Sequence, residues 1–146
     1  MLAFRSGDLF TSSAAALVNP VNCVGVMGAG LALEFKRRFP AAFVDYQAAC
    51  KSGSLRIGKV HVSITSGEPE RYVIHFPTKN HFRNPARLEY IEQGLVDLAE
   101  VIDTWKFPSV ALPALGCGLG GLPREPVFQL VKHYLGKVDA EITLYH

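Results

Sequence analysis

Two glycine-rich segments limit what this chain can fold into more than any other part of its sequence. They cover residues 19–30 and 113–122, and each follows a run typical of a β-strand and precedes a run typical of a helix. Glycines let the backbone turn sharply and approach a ligand closely, and the N-terminus of the next helix offers free N–H groups to an anion. One such segment alone is as consistent with a plain turn as with a phosphate site. Two of them at the carboxyl ends of strands predict one crevice that binds a diphosphate.

The remaining pattern indicates an α/β fold. Short runs rich in β-branched and aromatic residues predict strands at residues 16–19, 59–64, 72–76, 109–113 and 141–145. Apolar residues three and four positions apart predict helices at residues 87–102, from Gly30 to a stop at Pro40, and at residues 126–135. Alternating strands and helices imply three layers, with helices on both faces of a central sheet. Because residues 59–76 hold two strands with no helix between them, the sheet is predicted to be mixed.

Composition excludes several classes of protein. With 146 residues, 49% of them hydrophobic, the chain fits one folded domain rather than a disordered segment. Its three cysteines form no C-x-x-C pair, and no His, Cys and acid cluster has ligand spacing, so we expect no metal and no cofactor. No signal-like or membrane-length apolar run is present, which favours a cytoplasmic protein that does not enter a membrane. The net charge of +2 is too small to indicate nucleic-acid binding by itself, so any basic surface must be local.

Five segments, taken in their order and spacing, resemble the macrodomain family, whose members bind ADP-ribose. The segments are Gly7-Asp8-Leu9, Asn19-Pro20-Val21-Asn22, Met27 to Ala32, Pro113 to Gly121, and a last strand that ends in Tyr145. The resemblance covers essentially the whole chain. It implies a single three-layer macrodomain over residues 1–146.

The resemblance also implies a role for each part of the site. Asp8 would accept a hydrogen bond from the adenine amino group, Tyr145 would pack beside the adenine, and Asn22 would hydrogen-bond the distal ribose. The residues implied to bind ADP-ribose are Asp8, Leu9, Asn22, Gly28, Ala29, Gly30, Pro113, Leu115, Gly116, Cys117, Gly118, Leu119, Gly120 and Tyr145. Judged from the residues alone, Asp8 fits a turn cap, Asn22 fits backbone capping at a strand end, and Tyr145 fits a core position equally well.

The stretch from Phe76 to Arg83 resembles one branch of the macrodomains, which contains the DarG-type DNA ADP-ribosyl glycohydrolase antitoxins and the related glutamate-directed ADP-ribosyl hydrolases. The resemblance implies that Lys79 is catalytic, with Asn22 beside it. A neutral lysine can attack the anomeric carbon of the distal ribose, whereas a charged one can stabilise the leaving group. The three residues His81, Phe82 and Arg83 mix basic and aromatic groups, as sites for single-stranded nucleic acid do. The alternative for Lys79 and for these neighbours is ordinary solvated charge.

Two departures from this branch affect the substrate. Gly120 stands where the glutamate-directed relatives carry an aspartate, which favours the DNA-directed relatives. Pro123 and Arg124 stand where the DNA-directed relatives usually carry aspartate and tryptophan. We therefore expect a hydrolase that removes ADP-ribose from nucleic acid, specifically from thymidine in single-stranded DNA, with an ADP-ribosyltransferase toxin as its partner on the same substrate. The alternatives are hydrolysis of ADP-ribosylated RNA or glutamate-linked protein, a non-catalytic reader of ADP-ribose, and a phosphatase or deacylase of related small molecules.

Overall fold

The computed structural model describes residues 1–65 and 70–146. Its strands are β1 (Leu2–Arg5), β2 (Ala16–Val21), β3 (His61–Ile64), β4 (Tyr72–Pro77), β5 (Ser109–Pro113) and β6 (Glu141–Tyr145). Its α-helices are α1 (Gly30–Arg38), α2 (Pro40–Ser52), α3 (Leu88–Trp105) and α4 (Arg124–Leu135), and a 3-10 helix covers Leu9–Thr11. The long spans between strands are therefore filled by helices, as the alternating pattern predicts.

The strands form one mixed sheet in the order β1-β6-β5-β2-β4-β3. β3 pairs antiparallel with β4, and every other pair is parallel. The prediction of a mixed sheet from residues 59–76 is confirmed. Because β1, β2, β4, β5 and β6 run in the same direction, the segments that follow all five strands begin at one edge of the sheet.

Helices cover both faces of this sheet. On one face, α3 and α4 bury Ile91, Leu95 and Val131 in the main core, against strand residues such as Ala16. On the other face, α1 and α2 contribute to two smaller clusters that include Leu17 of the same strand. Neighbouring residues of a strand point to opposite faces, so the core is divided between the two layers. This is the three-layer α/β arrangement expected from the sequence.

Several element boundaries differ from the sequence predictions. Pro40 is the first residue of α2, a helix that the pattern did not predict. Proline is tolerated there because the first turn of a helix leaves its N–H groups without intrahelical partners. The strand predicted at residues 59–64 begins only at His61, since Lys59 forms an isolated bridge with Arg56. Among the described residues, no helix is long and apolar enough to cross a membrane.

Candidate functional site

A cavity of about 760 Å³ opens at the edge of the sheet where the parallel strands end. This volume lies within the range of small-molecule sites. The first glycine loop follows β2, the second follows β5, and the segment that begins at Thr78 follows β4. All three line the cavity, so the prediction that the two loops face one crevice is confirmed.

Many of the residues singled out in the sequence meet in this cavity. Those that line it are Asn22, Gly28, Ala29, Gly30, Lys79, Phe82, Pro113, Gly116, Gly118, Leu119 and Gly120. Those that lie outside its lining are Asp8, Leu9, His81, Arg83, Leu115, Cys117 and Tyr145. Leu115 is fully buried and anchors the second loop in the core, which is a supporting position rather than a contact surface.

The lining has an unusual charge pattern. Among the described residues that form it there is no aspartate or glutamate, and Lys79 is the single titratable side chain. The remainder is backbone, with small or apolar side chains and the polar Asn22 and Thr78. Such a cavity favours an anion, because one basic side chain lines it and, among the described residues, no carboxylate there repels an anion.

The second loop is shaped by close backbone packing. Gly116 has a φ of 75°, in the left-handed region, and its carbonyl accepts a hydrogen bond from the N–H of Leu122 at 2.9 Å. A Cβ atom on Gly120 would lie 2.5 Å from that same carbonyl oxygen and 2.8 Å from the Cβ of Ala86. The loop therefore has no room for a side chain at position 120, and the aspartate of the glutamate-directed relatives does not fit this backbone.

The two loops approach each other across the cavity. Leu119 is 73% exposed, and its Cδ1 atom lies 3.0 Å from the position that a Cβ atom of Gly30 would occupy. Gly30 itself begins α1 with a φ of 59°, so glycine is favoured there by both the backbone and the space. The Leu119 side chain of the second loop thus reaches the start of α1 within the lining of the cavity.

Lys79 is held beside the first loop by backbone hydrogen bonds that extend the pairing of β2 and β4. Thr78 donates its N–H to the carbonyl of Val21 at 2.9 Å, and Cys23 donates to the carbonyl of Asn80 at 3.1 Å. Lys79 lies between these two contacts and is half-buried. Among the described residues, no carboxylate forms an ion pair with it. Its amine is therefore available to a ligand in the cavity.

An aromatic and basic patch continues from Lys79. Phe82 is 45% exposed and lines the cavity. The ring of His81 lies 4.2 Å from the Phe82 ring, and the guanidinium of Arg83 lies 5.7 Å from it. Arg83 also donates its backbone N–H to Nδ1 of His81 at 3.1 Å. One exposed ring with a cation next to it is the arrangement on which an unpaired base stacks.

Asp8 and Tyr145 lie at the same edge of the sheet but beyond the cavity. Asp8 is exposed and caps the short 3-10 helix, because its Oδ1 accepts a hydrogen bond from the N–H of Phe10 at 2.9 Å. Tyr145 is half-buried at the end of β6, in register with Arg5 of β1 and Pro113 of β5. The turn-cap geometry considered for Asp8 is present. Its second carboxylate oxygen has no hydrogen-bond partner among the described residues.

A buried polar chain lies beneath the first loop. Ser63 donates to the Asp45 carboxylate at 2.6 Å, so its oxygen accepts from Nε2 of His75 at 3.0 Å. Nδ1 of His75 is then the acceptor for the amide of Asn19 at 3.3 Å. His61 also contacts Asp45, at 2.8 Å, and connects the chain to the surface. His75 is the satisfied core histidine that its mid-strand position indicates.

The hydrogen-bonded side chains of His75 and Asp45 make the stability of the fold sensitive to acid. Burial, with a smaller contribution from the charge of His61, lowers the pKa of His75 from 6.5 to about 3. Burial alone would raise the pKa of Asp45, but the hydrogen bonds from Ser63 and His61 outweigh it and lower that pKa. Both groups bind protons more readily in the unfolded chain, so acid favours unfolding.

We expect the free energy of unfolding to fall as the pH drops below 6.5. His75 alone contributes a loss of up to about 1.4 kcal/mol per pH unit, or about 2 kcal/mol between pH 7 and pH 5. Urea titrations at pH 7, 6 and 5 measure it. His75→Gln, which keeps a polar group that does not titrate, should flatten the slope, whereas His133→Gln on the exposed face of α4 should leave it unchanged. An unchanged slope in His75→Gln would contradict the assignment.

Tyr46 is a site residue that the sequence did not reveal. It lies on α2 and is fully buried, and its hydroxyl lies 2.9 Å from the backbone oxygen and 2.8 Å from the side-chain oxygen of Asn22, between which it shares its single proton. The sequence pattern indicates that a helix ends at Pro40 and predicts no helix after it, so nothing in the sequence singled out Tyr46. The backbone capping considered for Asn22 is also present, since its side chain bonds the backbone of Val24 and Val26.

A sequence model of the Macro domain family matches residues 18–131. The chain is 47% identical over 148 aligned residues to the DNA ADP-ribosyl glycohydrolase of Mycobacterium tuberculosis, covering 99% of this chain and 42% of that protein. It is 35% identical to a DNA ADP-ribosyl transferase-DNA ADP-ribosyl glycohydrolase fusion protein of Thermosipho africanus, covering 99% and 41% respectively. The chain thus spans about two fifths of the length of these curated relatives.

Solved structures of the same two relatives are similar throughout this chain. The macrodomain of Mycobacterium tuberculosis DarG superposes with a TM-score of 0.93 at 48% identity, covering 99% of this chain and 97% of that one. The Thermosipho africanus DarTG structure in complex with ADP-ribose superposes with a TM-score of 0.92 at 37% identity, covering 99% and 41%.

Proposed function

The chain belongs to the macrodomain family, and we propose that it removes ADP-ribose from modified nucleic acid, with thymidine-linked ADP-ribose on single-stranded DNA as its substrate. The observation that carries this proposal is the charge pattern of the cavity, where Lys79 is the single titratable group among the described lining residues. The relatives in Mycobacterium tuberculosis and Thermosipho africanus, whose names include DNA ADP-ribosyl glycohydrolase, support the same substrate class.

The cavity suits ADP-ribose because its two glycine loops offer backbone N–H groups to a diphosphate. In the proposed pose the first loop holds one phosphate and bends around the distal ribose, Asn22 hydrogen-bonds that ribose, and the second loop holds the other phosphate. Asp8 and Tyr145 hold the adenine further along the sheet edge, towards β1. The anomeric carbon of the distal ribose then lies beside Lys79, and the linked base lies against Phe82.

Hydrolysis breaks the bond between the anomeric carbon and the base, and the bonding electron pair leaves with the base. Lys79 has two ways to assist. As a neutral amine it attacks the carbon, and water then releases the sugar from the lysine. As an ammonium group it stabilises the negative charge that develops on the leaving base while water attacks the carbon, and in both routes the departing base takes up a proton. Both routes require an amine that is not paired with a carboxylate. Among the described residues, Lys79 forms no ion pair.

The patch of His81, Phe82 and Arg83 supports a nucleic-acid substrate over a protein one. The exposed Phe82 ring offers a stacking surface to a base, and Arg83 offers a cation to a phosphate. Gly120 supports the same choice, because its surroundings leave no space for the aspartate of the glutamate-directed relatives. We also propose that the partner is an ADP-ribosyltransferase that modifies the same DNA, since the Thermosipho africanus relative is a fusion with such an enzyme. A cytoplasmic location fits this substrate.

The test compares acceptors directly. Wild-type protein is incubated separately with a thymidine-linked ADP-ribosylated oligonucleotide, an ADP-ribosylated RNA and a glutamate-linked ADP-ribosylated protein. EDTA is present in each reaction, because we expect activity without a divalent metal. Free ADP-ribose is measured over time. The expected order is DNA first, with protein a poor substrate. Faster release from protein or RNA would overturn the acceptor assignment, and tight ADP-ribose binding without release from any acceptor would identify a reader.

A separate prediction concerns the adenine. Asp8→Asn keeps an oxygen that can cap Phe10 but removes the charge that attracts the adenine amino group, so we expect the dissociation constant for ADP-ribose to rise about tenfold. Calorimetry measures this change. Asp103→Asn, an exposed carboxylate in the last turn of α3, should bind as the wild type does. Unchanged affinity in Asp8→Asn would limit Asp8 to its capping role.

A further inference from the structure

The first glycine loop rests on α2 through two consecutive side chains. The hydroxyl of Tyr46 lies 2.9 Å from the carbonyl oxygen of Asn22 and 2.8 Å from its Oδ1. Gln47 donates its side-chain N–H to the carbonyl of Gly25 at 3.1 Å. Tyr46 is fully buried and lies outside the lining of the cavity, so any effect on a ligand must pass through the loop.

These contacts fix the orientation of the Asn22 amide. Its Oδ1 accepts from the N–H of Val24 at 3.0 Å and from the Tyr46 hydroxyl, while its Nδ2 donates to the carbonyl of Val26 at 2.8 Å. The reverse orientation would set two N–H groups against each other at Val24 and two oxygens against each other at Val26. The N–H of Val26 also contacts Oδ1, at a longer 3.5 Å, so the protein itself occupies the acceptor positions of this oxygen.

Among the residues that the structure describes, one amide N–H of Asn22 has no hydrogen-bond partner. A side-chain amide has two N–H groups, and only one of them is used by Val26. Asn22 is 6% exposed and lines the cavity, so the second N–H is the one group it can offer to a molecule there. Asn22 can thus donate to a ligand oxygen but cannot accept from a ligand hydroxyl.

We propose that Tyr46 is a positioning residue for ADP-ribose, which holds Asn22 so that its remaining amide N–H donates to a hydroxyl oxygen of the distal ribose. This inference rests on the proposed function, since it requires ADP-ribose in this cavity. Burial raises the pKa of the Tyr46 hydroxyl, so it keeps its proton and remains a donor at neutral pH. Phenylalanine would fill the same space but would leave Oδ1 of Asn22 with only the N–H groups of Val24 and Val26, at 3.0 and 3.5 Å.

The test compares ADP-ribose with ADP, which shares the adenosine diphosphate and lacks the distal ribose. For Tyr46→Phe we expect the dissociation constant of ADP-ribose to rise about tenfold while that of ADP changes less than twofold. Tyr134→Phe, which removes a hydroxyl bonded to Glu92 on the surface, is the matched control and should change neither value. In an Asn22→Ala background, Tyr46→Phe should have little further effect on ADP-ribose, because the side chain through which it acts is gone and only the contact with the backbone oxygen of residue 22 remains.

Each outcome discriminates. Equal weakening of ADP and ADP-ribose in Tyr46→Phe would mean that Tyr46 only supports the fold, and an effect that persists in Asn22→Ala would exclude the route through Asn22. Wild-type protein that binds neither ligand would instead overturn the proposed function. If Tyr46→Phe does not fold, NMR of the wild type decides. The Asn22 side-chain amide should shift with ADP-ribose and stay unchanged with ADP, and no such difference would overturn the inference.

Discussion

Lys79→Ala is expected to lower turnover on thymidine-linked ADP-ribosylated DNA at least about a hundredfold, while the dissociation constant for free ADP-ribose changes less than threefold. The reason is that no other titratable side chain lines the cavity among the described residues, so none can replace its amine. The lysine has no ion-pair partner among those residues, so its loss leaves no carboxylate unpaired. Single-turnover release of ADP-ribose and calorimetry measure the two quantities separately.

Two further variants sharpen this result. Lys59→Ala removes a lysine that is paired with Asp97 and lies outside the lining of the cavity, and it should keep full turnover. Lys79→Arg keeps a positive charge but cannot act as a neutral nucleophile. Substantial activity in Lys79→Arg would favour stabilisation of the leaving base, and its absence would favour attack by the amine. Equal turnover in Lys79→Ala and wild type would remove Lys79 from the mechanism altogether.

The fold was predictable as far as local pattern determines it. The apolar spacing of Leu88, Ile91, Leu95, Leu98 and Ile102 predicts α3, and all but the first of these are buried against the sheet. Pattern failed at Pro40, because a proline that ends one helix and a proline that begins the next look the same in sequence. Missing α2 also concealed Tyr46, whose hydroxyl reaches a loop far away in the sequence.

The site was predictable where glycines alone define it. Both glycine segments line one cavity, as their positions after strands imply, although the ligand roles of the individual residues remain predictions. The polar chain through Asn19, His75 and Ser63 could not be predicted. It joins residues from three strands whose register is set by the assembled sheet. Asn19 illustrates the difficulty, since its fully buried Oδ1 has no hydrogen-bond partner among the described residues.

The packing around Gly120 is another feature of the site that could not be predicted from the sequence. The sequence identifies it only as a glycine in place of an aspartate, and this difference alone does not say whether an aspartate would be tolerated. The obstacle is the Cβ of Ala86, together with the carbonyl of Gly116 in the same loop. Ala86 is brought there by its own N–H, which donates to the carbonyl of Gly120 at 3.1 Å. The packing of Ala86 and Gly116 therefore requires glycine at position 120.

Gly120→Ala is therefore expected to lower the free energy of unfolding by about 1–3 kcal/mol and to weaken ADP-ribose binding at least about tenfold, because the loop must shift to admit one methyl group. Gly118→Ala is the matched control for stability. A Cβ at position 118 would meet no atom of the described residues within 4 Å, so the free energy of unfolding of this variant should stay within about 0.5 kcal/mol of the wild type. Urea denaturation and calorimetry give both quantities. Gly120→Asp should also bind ADP-ribose at least about tenfold more weakly, for the same steric reason. It should not gain activity on glutamate-linked protein. Suppose instead that Gly120→Ala is as stable as Gly118→Ala and binds ADP-ribose with wild-type affinity. The loop would then accommodate a side chain at position 120, and steric exclusion would not explain why this loop lacks the aspartate.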